Sequence, residues 1–232
     1  MNPKSSYLLS LSLLAVVYVI VSCVPPGGHF KPPPTPGTVG PPPLRLVGSL
    51  NDIRGGPNAY YVRGNRGGAT KAYEDQPVYE GDRIFTGPNT RMTLRFAQGG
   101  YAELAENTDP VPRFLSDFGC LIVDLLRTGW MFVDGSNVCV GAQGTITKQD
   151  SQVVYDVRAG PVQITVVGGR AELKKPHVLA ISAGFRVDAN AKQVLKGGKP
   201  YQLTRLQVEE AVRLTNWYQR TKPKLPGLDV IK

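Results

Sequence analysis

The sequence predicts a mainly β fold, a sandwich, roll or solenoid-like domain over residues 44–203, followed by one α-helix near the C-terminus. Three observations predict it. Short apolar or alternating runs recur at spacings near ten residues: RIF, RMTLRF, YAELAE, CLIVDLL, WMFV, VCVGA, QVVYDVRA, VQITVV, HVLAISA and FRVDA. Glycine, proline, asparagine and aspartate stand between them, the residues that turns demand. Helical periodicity with a matching start signal occurs once, in LTRLQVEEAVRLTNWYQR.

The N-terminus is set apart. MNPKSSYLLSLSLLAVVYVIVSC carries one positive charge, Lys4, and an uncharged, mostly apolar run from Tyr7 to Val21, the shape of a secretory signal. A lasting membrane span needs about 20 apolar residues, and here helix-breaking Pro25 and Pro26 follow the run closely. The tetrad Ile20-Val21-Ser22-Cys23 resembles the lipobox of bacterial lipoproteins, which implies a signal peptide over residues 1–22 and acylation of Cys23. Several acyl chains, each contributing about 0.8 kcal/mol per buried CH₂, would make Cys23 a firm membrane anchor. Val24 after Cys23 resembles lipoproteins sorted to an outer membrane. Residues 23–43 then read as lipidated cysteine plus tether. Val24 to Pro43 holds nine of the chain's 20 prolines, a composition that favours extended polyproline II and spans up to about 60 Å at about 3.1 Å per residue.

Without residues 1–22 the chain has 26 basic and 18 acidic side chains, a net charge of +8. The charges are interspersed, and only the tail QRTKPKLPGLDVIK is a basic cluster. A nucleic-acid face needs a denser patch with aromatic stacking platforms, so no nucleic-acid partner is expected. Attraction to anionic lipid or wall polymer fits the charge.

Within the β region, Gly87-Pro88-Asn89 and Gln98-Gly99-Gly100 flank RMTLRF and predict a meander. Asp134-Gly135 and Gly168-Gly169 predict hairpin turns. YVRGNRGGAT lacks phosphate-cradling spacing and reads as a hairpin loop. Residues 105–118 read as an insertion.

The segment EGDRIFTGPNTRMTLRFAQGGYAEL carries Gly81-Asp82, Ile84-Phe85, Thr86-Gly87, Arg91, Leu94, Phe96 and Gly99-Gly100. Downstream come Gly129 before WMFV, Gly144-Thr145, VVYDVRAGPVQI and LAISAGFRV. In this order the motifs resemble the FecR-like domain family, over most of residues 44–188. The resemblance implies a FecR-like β domain in which Gly81, Asp82, Thr86, Gly87, Arg91, Gly144 and Thr145 are structural. Family members that regulate sigma factors carry a cytoplasmic segment ahead of a membrane helix. Six residues precede the apolar run here, so no sigma-factor contact is expected.

Export places the remaining cysteines, Cys120 and Cys139, in an oxidising compartment, where an even pair is a disulfide candidate. They lie at nearly equal distances from a turn near Arg127-Thr128-Gly129 and so face each other if the flanking runs are neighbouring strands; two reduced core thiols are the alternative. A redox enzyme normally uses C-x-x-C, which these cysteines do not form.

No catalytic or metal-ligand constellation stands out, and no cofactor is expected. Of two histidines, His29 falls in the tether and His177 at a strand start. Asp82 reads as a turn aspartate bonded to its own backbone. In the C-terminal segment, residues 204–232, Thr204 and Gln207 form a capping-box pattern. Val208, Ala211, Val212, Thr215 and Tyr218 share one face, Leu206 and Trp217 lie toward the other, and the helix stops before Lys222-Pro223. The expectation is a lipid-anchored module of the bacterial envelope, facing the periplasm from the outer membrane, that binds, senses or scaffolds envelope proteins or glycans without chemistry. The competing expectation is an envelope enzyme, such as a wall hydrolase. A deep polar cleft with perturbed carboxylates would separate the two.

Overall fold

The computed structural model describes residues 43–56, 58–62, 68–126, 128–158, 160–189, 199–213, 215–221 and 225. The expected signal peptide, Cys23, nearly all of the expected tether, the tip of the YVRGNRGGAT loop and most of the basic tail lie outside the described residues.

The fold is mainly β, as expected, and is compatible with a β-sandwich. Its organising element is a hairpin of two long strands, β10 (Trp130–Ala142) and β11 (Thr145–Asp156), paired antiparallel along their length. A bulge between Ser136 and Val138, with Asn137 at φ 57°, divides β10 into two parts with different neighbours. Bulges bend a strand and raise its local twist, so one hairpin serves two half-sheets.

The first half-sheet takes the front of β10 and the back of β11. On one side stand β7 (Tyr101–Leu104), β6 (Thr90–Phe96), β1 (Leu46–Gly55) and the edge strand β4 (Gln76–Tyr79). On the other side stand β12 (Val162–Val166), β15 (Phe185–Ala189) and the short β16 (Tyr201–Gln202). The second half-sheet takes the back of β10 with β9 (Cys120–Leu125) and β8 (Pro110–Leu115), and the front of β11 with β13 (Arg170–Lys175) and β14 (Leu179–Ser182). A separate three-stranded sheet joins β3 (Thr70–Lys71), β2 (Ala59–Val62) and β5 (Arg83–Thr86).

Strand alternation explains the core. Met131, Val133, Val138 and Val140 of β10 and Val153 and Tyr155 of β11 face inward. They join Leu50, Leu94, Leu104, Leu121, Val123, Ile164 and Leu173 from both half-sheets in one buried cluster. The alternate residues form two outer clusters. Trp130, Phe132 and Val154 lie under the C-terminal segment, and Cys139 and Ile122 pack with Cys120.

Two expectations about hairpin turns are corrected. Asp134-Gly135 is no hairpin turn but lies inside β10, directly before the bulge. Residues 105–118, expected as an insertion, supply β8, which pairs antiparallel with β9 at a sheet edge. Gly168-Gly169 does turn the chain, but the strands it joins do not pair with each other. Both pair with β11, one with each of its ends, so the turn carries the chain between half-sheets.

The disulfide Cys120–Cys139 is present, with a Cα–Cα distance of 5.9 Å. Its strands are neighbours, but they run parallel, with Cys139 opposite Ile122. A hairpin about residues 127–129 does not form, because the front of β10 is taken by β7 in the other half-sheet. The chain returns alongside β9 only after the bulge.

The C-terminal segment forms two helices rather than one: α1 (Arg205–Val212) and α2 (Asn216–Thr221). The Thr204–Gln207 capping box is present. The break comes at Thr215, whose hydroxyl donates to the Val212 carbonyl at 2.8 Å and accepts from the Tyr218 N–H at 2.9 Å. It thereby ends one helix and caps the next. Val208 and Val212 are buried and Leu206 is exposed, as the periodicity predicts. Trp217 departs from that pattern. After the break α2 has a new rotational phase, and Trp217 stacks on Phe132 with centroids 5.3 Å apart.

Candidate functional site

The motif residues are scattered over the fold. Asp82 is buried and accepts hydrogen bonds from the Tyr79 N–H at 2.7 Å and the Tyr61 hydroxyl, fixing the turn after β4. Gly81 occupies that turn at φ 82°. Gly87 has no positive φ; it is small because a Cβ there would lie 2.5 Å from the Asn58 Cβ. The Thr86 hydroxyl donates to the Ala105 carbonyl and accepts from the Thr108 N–H at 2.9 Å, tying β5 to the turn before β8. Gly144, at φ 79°, and Thr145, whose hydroxyl donates to the Ala142 carbonyl at 2.7 Å, close the β10–β11 hairpin. Arg91 lines a cleft, described below.

Chemistry concentrates instead on the outer face of the first half-sheet, where α1 and α2 lie. Cross-strand register sets up the rows. Thr93, Glu103, Phe132, Val154, Thr165 and Arg186 follow one another from β6 to β15. The helices cover the apolar middle of this face through Leu203, Val208, Val212 and Trp217. The polar flanks remain as two clefts.

One cleft, of about 690 Å³, is lined by Tyr101, Trp217, Glu103, Asp52, Glu74 and Arg95 among others. It holds the kind of carboxylate that would signal an enzyme. Burial pushes the Glu103 carboxyl above its ordinary range, against the pull of backbone hydrogen bonds from Asn216 and Trp217. Its bonding, however, is structural. The two oxygens accept the Asn216 N–H at 2.6 Å and the Trp217 N–H at 3.0 Å, capping α2 from the sheet below. Glu74 likewise spends both oxygens on the backbone N–H groups of Asp52 and Ile53, at 2.8 and 2.7 Å. Asp52 accepts from the Asn216 amide at 2.7 Å and pairs with Arg54 at 2.7 Å. Glu103 and Asp52 therefore hold the C-terminal segment to the sheet, and Glu74 holds the irregular stretch of β1 beside it.

The other cleft, of about 400 Å³, lies between α1 and the β10, β11, β12 and β15 surface. Arginines from four separate places meet there: Arg91 of β6, Arg158 after β11, Arg186 of β15 and Arg213 at the end of α1. Arg158 grips Asp156 with two hydrogen bonds, at 2.9 and 2.6 Å. Burial would raise the Asp156 carboxyl, but the hydrogen bonds and charge of Arg158, with a further contribution from Arg186, carry it below its ordinary range. Arg186 Nε donates to the Thr165 hydroxyl at 2.8 Å.

Sequence reasoning missed Arg158, Arg186, Arg213 and Glu103, and no local pattern marks them, because register and helix docking bring them together. His177 is exposed at the end of β13's following turn. Among the described residues, no group of three or more His, Cys, Asp or Glu side chains is placed to hold a metal ion, and no helix is long and apolar enough to cross a membrane. No family model, no curated protein and no solved structure matches the chain.

Proposed function

We propose that the chain is a lipid-anchored, FecR-like binding module of the bacterial envelope, displayed on its proline-rich tether from the outer membrane through acylated Cys23. Its role is to bind, sense or scaffold an envelope protein or glycan without chemistry. The observation that carries the reading is the use made of the three carboxylates of the larger cleft, Glu103, Asp52 and Glu74: all three are engaged in holding the helix and strand backbone beside them. General acid–base catalysis needs a carboxyl within reach of a substrate proton, and a carboxylate with both oxygens on helix N–H groups serves the fold instead. Two open clefts on a rigid face suit recognition. The ordered motifs from Gly81 to Gly184 support the FecR-like part of the reading, and the IVSC tetrad supports the anchor.

The raised Glu103 carboxyl favours the competing enzyme reading, and one experiment separates them. Exported protein is incubated with cell-wall fragments and envelope extract, and both retention and released products are measured. Retention without new products is expected. Turnover abolished by a single substitution such as Glu103→Gln, with the fold intact, would overturn the proposal. In parallel, Cys23→Ser is expected to abolish processing and detergent partitioning, and wild-type protein starting at another residue would refute the anchor.

A further inference from the structure

We infer that the cleft between α1 and the β10, β11, β12 and β15 surface is a binding site for an oxyanion, a phosphate or carboxylate group borne by an envelope ligand. This rests on the binding-module reading and names the chemistry of its site. Four arginines separated by 27 to 67 residues along the chain are gathered into one cavity of about 400 Å³. Like charges repel, so such convergence on an open surface calls for counter-charge. The cleft supplies three carboxylates, and they are unequally placed. Asp156 is taken up by Arg158 through both oxygens. Glu106 accepts the Asn89 N–H at 2.8 Å. Glu210 reaches Arg213 only at 4.0 Å, with both side chains mostly exposed. Counting side chains, the cavity carries one positive charge in excess.

The geometry is also prepared for an anion. Asp156 holds the Arg158 guanidinium with two hydrogen bonds, and Thr165 holds Arg186 by its Nε. A guanidinium has five N–H donors. Arg158 directs Nε and one terminal nitrogen at Asp156, so its other terminal nitrogen lies outside that grip. A guanidinium fork matches a pair of carboxylate or phosphate oxygens bidentately, which an ammonium group cannot do. Fixing them beforehand lowers the ordering cost of binding. Trp130, Val154 and Ala211 form the apolar part of the lining, against which the body of a larger ligand would rest.

The test uses exported, processed protein titrated separately with inorganic phosphate and with citrate at constant ionic strength. Binding is followed by calorimetry and by backbone NMR shifts at Arg186, Thr165 and the end of α1. Saturable one-to-one binding of at least one anion is expected, and which one binds separates a phosphorylated from a carboxylated source. Arg213→Gln, at an exposed position, should weaken it at least fivefold, and Arg186→Gln with Arg213→Gln should remove it. Arg170→Gln, on β13 and outside the cleft, should leave it unchanged. No saturable binding of either anion overturns the inference, as does an equal loss in Arg170→Gln, which would mark a general charge effect. Retention on wall fragments is measured with the same proteins. Retention that persists without any oxyanion binding refutes this site while leaving the binding module standing.

Discussion

Removing the Glu103 carboxylate by Glu103→Ala should undock α2. The side chain is 7% exposed and accepts two backbone N–H groups of the first turn, at 2.6 and 3.0 Å. Hydrogen bonds to a charged group are worth about 1.5–3 kcal/mol each. Returning a buried carboxylate to water offsets part of that, and N-caps measured by substitution give about 0.5–2 kcal/mol. A net loss of about 2 kcal/mol follows, which in a domain of this size lowers Tm by about 4–8 °C. The loss should be local first. Trp217 sits on Phe132 only while α2 is docked, so in a Trp130→Phe background its emission should shift to the red before global unfolding. The pH dependence has a definite sign. Glu103 in the folded protein binds its proton more tightly than in the unfolded chain, because burial raises its carboxyl. Its contribution is therefore most favourable below the ordinary glutamate value, about 4.3, and is lost as pH rises from there through the folded value. The stability of wild type minus that of Glu103→Gln should fall with rising pH across this window. A slope of opposite sign, or a Glu103→Ala protein within about 0.5 kcal/mol of wild type with unshifted Trp217 emission, would refute the reasoning.

Two further outcomes are expected. Replacing Cys120 and Cys139 by serine together should lower stability by about 3 kcal/mol on the chain-entropy account of a loop spanning 19 residues, and the wild-type exported protein should weigh two hydrogens less than its reduced form; an unchanged denaturation midpoint would contradict this. Gly87→Val should destabilise by several kcal/mol because its Cβ meets Asn58, whereas Gly81→Ala, with open space around it but φ at 82°, should lose only about 1 kcal/mol. Urea midpoints in the reverse order would show that backbone strain, not contact, governs these turns.

The strands were legible in the sequence because alternation is a local property: RMTLRF buries Met92, Leu94 and Phe96 and turns Arg91 and Arg95 outward, as its pattern states. Polar segments are less so. ITKQDSQ has few apolar residues, yet Thr147 and Gln149 face inward fully buried, with Gln149 accepting from the Tyr155 hydroxyl at 2.8 Å. A partner six residues away turns a polar residue into a core residue, and composition does not record it. Pairing was legible only where a tight turn joins the partners, as at Gly99-Gly100. The parallel β9–β10 pairing and the split of the C-terminal helix depend on competition from β7 and on Thr215 and Glu103, which act across the fold. The arginine cleft is the extreme case, since three of its four cations, Arg158, Arg186 and Arg213, are ordinary surface residues when read along the chain.

The shared hairpin has a consequence for how the domain comes apart. Neither half-sheet has a central pair of its own, since β10 and β11 are the middle of both. Melting either half strips neighbours from strands that the other half still needs, so the halves cannot open independently. Fluorescence and far-UV circular dichroism should therefore trace one coincident transition after α2 has left. In hydrogen exchange, the amides of Val133, Val140 and Val153, on both sides of the bulge, should share the slowest class and report a single global opening, while the edge strands β4, β14 and β16 exchange by fraying.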